Sequence, residues 1–183
     1  MKMTKMKIKN LFLGLIFIGT AGFVNAQTAN QETVNSATTS PAQTNPTIDA
    51  LKKQVETNPK DAESLAKLAT AYQDSSDWPN AVETWKKISV LLPDWAPAYY
   101  SQGYAYQSAK DDANAKMAYE KYISTVKPEE LEQNKKSLAY AYLYIAFAEQ
   151  QSNPAKAKEY IAKSLQYDPS NQDALKLSKA LNS

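Results

Sequence analysis

Residues 62–93 read AESLAKLATAYQDSSDWPNAVETWKKISVLLP. Counted from Ala62 as position 1, Leu65 stands at 4, Leu68 at 7, Ala69 at 8 and Tyr72 at 11. After a break at Asp77-Trp78-Pro79, Ala81 follows at 20, Trp85 at 24, Ile88 at 27 and Pro93 at 32. Both halves carry the spacing of one apolar helix face. Asp is a preferred helix N-cap, and Pro is tolerated in a first helical turn. The stretch therefore reads as two helices folded back on each other. Ala69 and Ala81 are the small residues where those helices approach.

The pattern returns twice. From Ala96 as position 1, Tyr99 is at 4, Gly103 at 8, Tyr106 at 11, Ala115 at 20, Tyr119 at 24 and Tyr122 at 27; Pro128 comes one residue late. Gln102 stands at 7, where a leucine would fill the core better. Counting back from Pro169 as position 32 puts Ala157 at 20, Ile161 at 24 and Ser164 at 27. The first helix of this third unit fits less well. Tyr144 falls at 7, a large Ile145 at the small position 8 and Ala148 at 11, and a one-residue slip would put Ala146 at 8 instead. Before it lies PEELEQNKKS, residues 128–137. Pro128 can start a helix, Glu129 and Glu130 suit its positive end, and Glu132 and Lys136 are spaced i, i+4. This predicts an N-terminal helical extension, with a break near Asn134. Position 16 is Asp77, Asp111 and Asn153 in turn, each a capping residue, and Pro79 and Pro154 open two of the helices that follow. Position 15 is Ser76, Lys110 and Ser152 rather than glycine, which predicts strain in the turns.

The spacing closely resembles the tetratricopeptide repeat, a 34-residue helical hairpin. The resemblance implies an all-α fold, a helical-hairpin repeat solenoid of about three hairpins. They fall at about 62–93, 96–127 and 137–169, within a domain spanning 47–183. Ile48, Leu51 and Val55 mark a leading half-repeat helix closed by Pro59. Residues 171–181 form a C-terminal capping helix, with Ala174, Leu175, Ser178 and Leu181 as its inner stripe and Lys176 and Lys179 outside. One hairpin cannot bury its apolar face alone, so neighbours stack into a continuous core. Tyr72, Tyr99, Tyr106 and Tyr119 take core positions in that scheme.

In proteins similar to this one, positions 2, 5, 9, 12 and 13 of each first helix line a concave face. The first hairpin supplies Glu63, Ala66, Thr70, Gln73 and Asp74, the second Pro97, Tyr100, Tyr104, Gln107 and Ser108. The third supplies Ala139, Tyr142, Ala146, Glu149 and Gln150. The implied partner-binding groove is built from Tyr100, Tyr104, Gln107 and Tyr142, with Gln73 and Glu149 nearby. Tyrosine offers apolar area and a hydrogen-bonding tip at low entropy cost. Packing against the next repeat is the alternative use of the same rings. A family subtype clamps a peptide's C-terminal carboxylate with Lys and Asn at positions 5 and 9 of the first repeat. Ala66 and Thr70 stand there, so the resemblance does not carry that role. Lys116 reads as an outward-facing second-helix residue.

Composition narrows the chemistry. The chain has 183 residues, with no histidine and no cysteine. That removes thiolate nucleophiles, Ser-His and Cys-His pairs, imidazole or thiolate metal ligands, and disulfides. Glu129 with Glu130, and Asp111 with Asp112, are the paired carboxylates left for acid–base work, and they read as helix-start and turn charges. No enzyme activity, cofactor or metal is expected. All 21 basic residues are lysine, so the planar forks of arginine are missing. Without residues 1–26, 17 lysines face 19 acids. That is not the balance of a nucleic-acid binder.

Lys2, Lys5, Lys7 and Lys9 precede the apolar run LFLGLIFIGTAGFV at residues 11–24, and Val24-Asn25-Ala26 then meets Gln27. A basic start, a short apolar run and small residues at −3 and −1 make a secretory signal peptide of residues 1–26. An uncleaved anchor is the alternative, against which the run falls short of the roughly 20 residues a membrane span needs. No lipobox cysteine follows. Residues 27–46 are rich in Thr, Asn, Gln, Ala, Ser and Pro and read as a flexible linker. The functional expectation is an exported interaction module, a scaffold or adaptor holding a partner peptide or helix in its groove. It would be periplasmic in a Gram-negative host and otherwise secreted. The alternatives are a tyrosine-lined binder of a glycan or other small ligand, and self-association through the ends of the array. No nucleic acid and no transmembrane span in the mature chain are expected.

Overall fold

Ala62, Leu65 and Ala69 on one helix and Ala81, Trp85 and Ile88 on the next are buried, the two helices pack together, and this pairing is the unit from which the chain is stacked. The computed structural model describes residues 46–182. Residues 1–26, expected to be a signal peptide, lie outside them, as do residues 27–45 of the expected linker. The elements are α1 (Pro46–Thr57), α2 (Ala62–Asp74), α3 (Trp78–Leu91), α4 (Ala96–Ser108), α5 (Asp112–Thr125), α6 (Leu131–Glu149), α7 (Pro154–Tyr167) and α8 (Gln172–Asn182). Each helix packs on the next, so α2/α3, α4/α5 and α6/α7 are three hairpins, preceded by α1 and capped by α8. The fold is all-α among the described residues, a helical-hairpin solenoid. None of the described helices is long and apolar enough to cross a membrane.

The local signals act as their chemistry requires. Asp77 accepts from the Asn80 amide, Asp111 from that of Asn114, and Asn153 from that of Lys156. The first two turns close by Schellman geometry. The Ser76 amide donates to the Gln73 carbonyl and Asp77 to Tyr72, and in the second turn Lys110 donates to Gln107 and Asp111 to Tyr106. This requires a left-handed residue, and Ser76 and Lys110 take φ of 58° and 63°. A Cβ on Gly103 would lie 2.9 Å from the Tyr119 ring, so the close approach of α4 and α5 needs the hydrogen there.

The third hairpin departs from the other two. Ala146 shares an apolar cluster with Ile161 and Leu143, while Ile145 turns to the cluster of Ala115, Tyr119 and Tyr122 in the preceding hairpin. Ser164 Oγ donates to the Ala139 carbonyl at 2.8 Å, and Ala139 is buried much as Ala62 and Ala96 are. The slipped register is therefore the correct one, with Ala139 at position 1 and Ala146 at position 8. Counted that way, the cap Asn153 arrives one residue early. The residue lost is the left-handed one. Ser76 and Lys110 are the described non-glycine residues with positive φ, so the strain expected at three turns falls on two.

Three further expectations change. The extension begins with a 3-10 turn at Pro128–Glu130, and α6 then runs unbroken through Asn134. The Asn134 side chain donates to the Glu130 carbonyl at 2.8 Å and accepts from the Tyr122 hydroxyl at 3.0 Å, so its amide is satisfied inside the helix. On α8 the inner residues are Ala174 and Leu177, while Leu175 is 43% exposed. Leu177 follows Ala174 by three residues and shares its face; Leu175 does not. Gln102 is buried, yet no buried side-chain polar atom among the described residues lacks a partner.

Candidate functional site

The first helices α2, α4 and α6 carry all six residues expected to line a groove, and tertiary packing separates them sharply. Gln73 on α2 is half-buried, and its Oε1 accepts from Trp85 Nε1 at 3.0 Å. Gln107 is its counterpart one repeat on. Its Oε1 accepts from Tyr119 Oη at 3.0 Å and from Tyr140 Oη at 2.9 Å, and its Nε2 lies 2.8 Å from the Tyr140 oxygen. Both side-chain oxygens are thus spent on holding a second-helix aromatic, and Gln107 also reaches into the next hairpin.

Tyr100 is enclosed by three rings. Its centroid lies 5.7 Å from that of Tyr119, 5.2 Å from Tyr122 and 6.4 Å from Tyr140, all in edge-on geometry. Burial pushes its hydroxyl far above the ordinary tyrosine range, and burial does the same to Tyr119 and, with smaller effect, to Tyr140. Tyr100 is a packing residue of the joint between the second and third hairpins.

Tyr142 faces α7, stacked on Tyr167 at 5.9 Å and 10° and tilted against Tyr160 at 6.1 Å. In the slipped register it holds position 4, the place of Leu65 and Tyr99, so it packs within its own hairpin. Glu149 moves to position 11, the place of Tyr72 and Tyr106. It is buried and ion-paired with Lys116 of α5, and it accepts from Ser152 Oγ at 3.4 Å. The Lys116 bond holds the Glu149 carboxyl below its ordinary range, and the same bond raises the Lys116 pKa. Lys116 is therefore a link between hairpins and not a free outward residue. Three of the four paired carboxylates are also engaged. Asp111 caps α5, Asp112 accepts from Tyr144 Oη at 2.9 Å, and Glu130 accepts from the Lys127 amide at 3.4 Å.

Tyr104 alone of the six is an exposed large residue, at 38%. Its ring meets Trp78, the first residue of α3, edge-on with centroids 6.1 Å apart and planes at 80°. This pair bridges the first and second hairpins at the surface. Two residues here hold no expected site position. Trp78 lies in the break between the helices, where a large aromatic beside a capping Asp and a Pro has no core position to fill. Tyr140 was hidden by the register slip; counted from Ala139 it takes position 2 of a first helix. The helix stretches that carry Tyr104 and Tyr140 hold no charge. Residues 96–108 (APAYYSQGYAYQS) and 137–148 (SLAYAYLYIAFA) contain no ionisable group except tyrosine.

Comparison with known proteins agrees with this architecture. The family model described as tetratricopeptide repeat matches residues 97–126, most of the second hairpin. The C-terminal part of a TPR repeat-containing protein from Cytophaga hutchinsonii is 25% identical, with a TM-score of 0.64 over 71% of this chain. That match takes in 52% of the other chain, so the sequence spans about half its length. MamA protein is 26% identical, with a TM-score of 0.61 over 73% of this chain and 69% of its own. The TPR2B domain of yeast Sti1, solved in complex with pHsp70, shares the fold at 22% identity. Its TM-score is 0.52 over 66% of this chain and 95% of its own. No curated protein matches the sequence. The chain is thus a tetratricopeptide-like solenoid in its architecture.

Proposed function

We propose that this chain is an exported protein-interaction module, a scaffold or adaptor that holds a segment of another protein against the exposed face of its first helices. The observation that carries the reading is Tyr104, a large ring left 38% exposed on the middle hairpin while the rings around it are packed. The yeast domain with the same fold is held in a complex with pHsp70. The proposal extends partner binding to this chain but not that partner. A glycan site would need free hydrogen-bonding groups, and the Gln73 and Gln107 oxygens and the Tyr140 hydroxyl are engaged internally. On that ground a protein partner is preferred to a sugar.

The direct test is a photoreactive residue in place of Tyr104, with one in place of Met117 as control. Met117 is 57% exposed on α5 and is a better control than the engaged Lys116. One dominant protein adduct at position 104 and none at 117 is expected. No adduct at 104, with helical circular dichroism intact, removes the reading. Export rests on the basic and apolar character of residues 1–26. N-terminal sequencing of the protein from a fractionated native host should find Gln27 first, outside the cytoplasm. A chain retaining residues 1–26 in the cytosol refutes it.

A further inference from the structure

The proposed function leaves open which contact does the binding and what chemistry the partner brings. Trp78 and Tyr104 come from different hairpins and meet edge to face at 80°. In such a pair one ring's edge is set against the other's face, and the two ring planes meet in an aromatic corner. Tyr104 is exposed and Trp78 half-buried, so the corner opens at the surface.

Three observations restrict the occupant. First, the helix that carries Tyr104 has no charged residue, and neither does the adjacent run of α6 at residues 137–148. A charge brought onto this surface would lose water without gaining a counter-ion. Second, the charges at the edges do not favour one sign. Lys67 and Glu63 on α2 pair with each other at 2.8 Å, exposed Asp74 and Lys110 have opposite signs, and Asp77 and Asp111 are spent as caps on Asn80 and Asn114. Third, the amide oxygens that could accept from a partner's polar groups are committed. Gln73 is held by Trp85, and Gln107 by Tyr119 and Tyr140. An occupant therefore meets aromatic surface beside amide oxygens that are already engaged.

We infer that the Trp78–Tyr104 pair is the anchoring contact and that it takes an uncharged segment of a partner protein bearing an apolar anchor such as proline or leucine. Aromatic-lined grooves capture proline-containing segments in this way, exploiting a backbone that is already extended. The inference rests on the proposed function, since it names the occupant of the same surface. It also shifts the binding role from Tyr100, Gln107, Tyr142, Glu149 and Gln73, which are packing residues, to a tryptophan outside the first helices.

The test is phage display of short random peptides on the full mature chain, followed by binding of the selected peptides as synthetic fluorescent probes. Uncharged peptides sharing a proline or aliphatic anchor are expected. Their affinity should change by less than about twofold between low and high salt, because no ion pair is made. Trp78→Ala and Tyr104→Ala should each weaken binding by about tenfold or more, and Tyr104→Phe should retain it. Tyr104→Glu is a second variant at an exposed position; it should abolish binding with the melting temperature unchanged. Selected peptides with clustered carboxylates or lysines, and affinity that falls with salt, overturn the inference. So does binding indifferent to both alanine variants. If position 104 crosslinks to a protein while the selected peptides are charged, the inference fails and the proposed function stands. If no peptide is selected and nothing crosslinks at 104, both fall.

Discussion

The joint between the first and second hairpins and the joint between the second and third share one backbone plan and differ in chemistry. The second joint is tied by polar groups: the Lys116–Glu149 ion pair, the Tyr144–Asp112 hydrogen bond at 2.9 Å and the Gln107–Tyr140 contact. Tyr100, Tyr119 and Tyr140 fill the space between those ties. The first joint leans on rings. Trp78 meets Tyr104, and Lys86 Nζ lies 5.7 Å from the Tyr106 ring centroid. The difference teaches where a repeat array can keep a surface available. Polar side chains that satisfy each other across a joint close it, whereas a bare aromatic pair remains ready for another molecule.

The largest expected effect comes from removing the closest helix approach behind the closed joint. Gly103→Leu would drive into the Tyr119 ring, which also contacts Tyr140 and Tyr144. Overpacking there should cost about 3 kcal/mol in urea unfolding. A near-neutral result would show that the tyrosine cluster yields more easily than its packing suggests.

The matched glutamines separate the joints directly. Gln107→Leu strands two tyrosine hydroxyls and should cost about 2 kcal/mol, whereas Gln73→Leu strands the Trp85 indole alone and should cost about 1 kcal/mol. Equal costs would mean that the reach of Gln107 to Tyr140 adds nothing to the joint.

The ion pair predicts a pH window. Glu149 has a lowered pKa because it bonds Lys116, so its contribution is present above its ordinary value of 4.5 and is lost as pH falls through the folded value. Lys116 has a raised pKa through the same bond. Its contribution is present below 10.5 and is lost as pH rises through the folded value. Melting temperature against pH should therefore fall on both sides of this window. Glu149→Gln should lower the plateau and flatten both limbs. Limbs unchanged by Glu149→Gln would remove the pair from the account of the joint.

The smallest effects belong to the turns. Ser76→Gly and Lys110→Gly relieve left-handed backbone at φ of 58° and 63° and should each gain about 0.5–1 kcal/mol. Ser152→Gly should gain nothing, because the third turn has no left-handed residue. A gain there in chemical denaturation would contradict the shortened turn.

Much of the fold was legible because its signals are local. The spacing of Leu65, Leu68 and Ala69, the caps Asp77, Asp111 and Asn153, and the close-packing residues Gly103 and Ala115 all act within a turn or a hairpin. The candidate site was less legible. Tyr100 and Tyr104 are four residues apart on one helix and look equivalent in the sequence, yet one is enclosed by Tyr119, Tyr122 and Tyr140 and the other meets only Trp78 among the ring contacts seen. Which ring a neighbouring hairpin covers depends on partners some 20–40 residues away in the chain.

The sequence by itself determined that three helical hairpins stack, where most of their helices cap and turn, and that thiol and imidazole chemistry are absent. Tertiary structure decided the register of α6, the inward turn of Leu177, the commitment of Gln73, Gln107 and Glu149 to internal bonds, and the exposure of Tyr104 beside Trp78. The physical reason is range. Periodicity and capping are settled by residues within a turn or two, whereas coverage of a side chain is settled by whichever hairpin packs over it. In this chain one residue fewer in the third turn was enough to change that outcome.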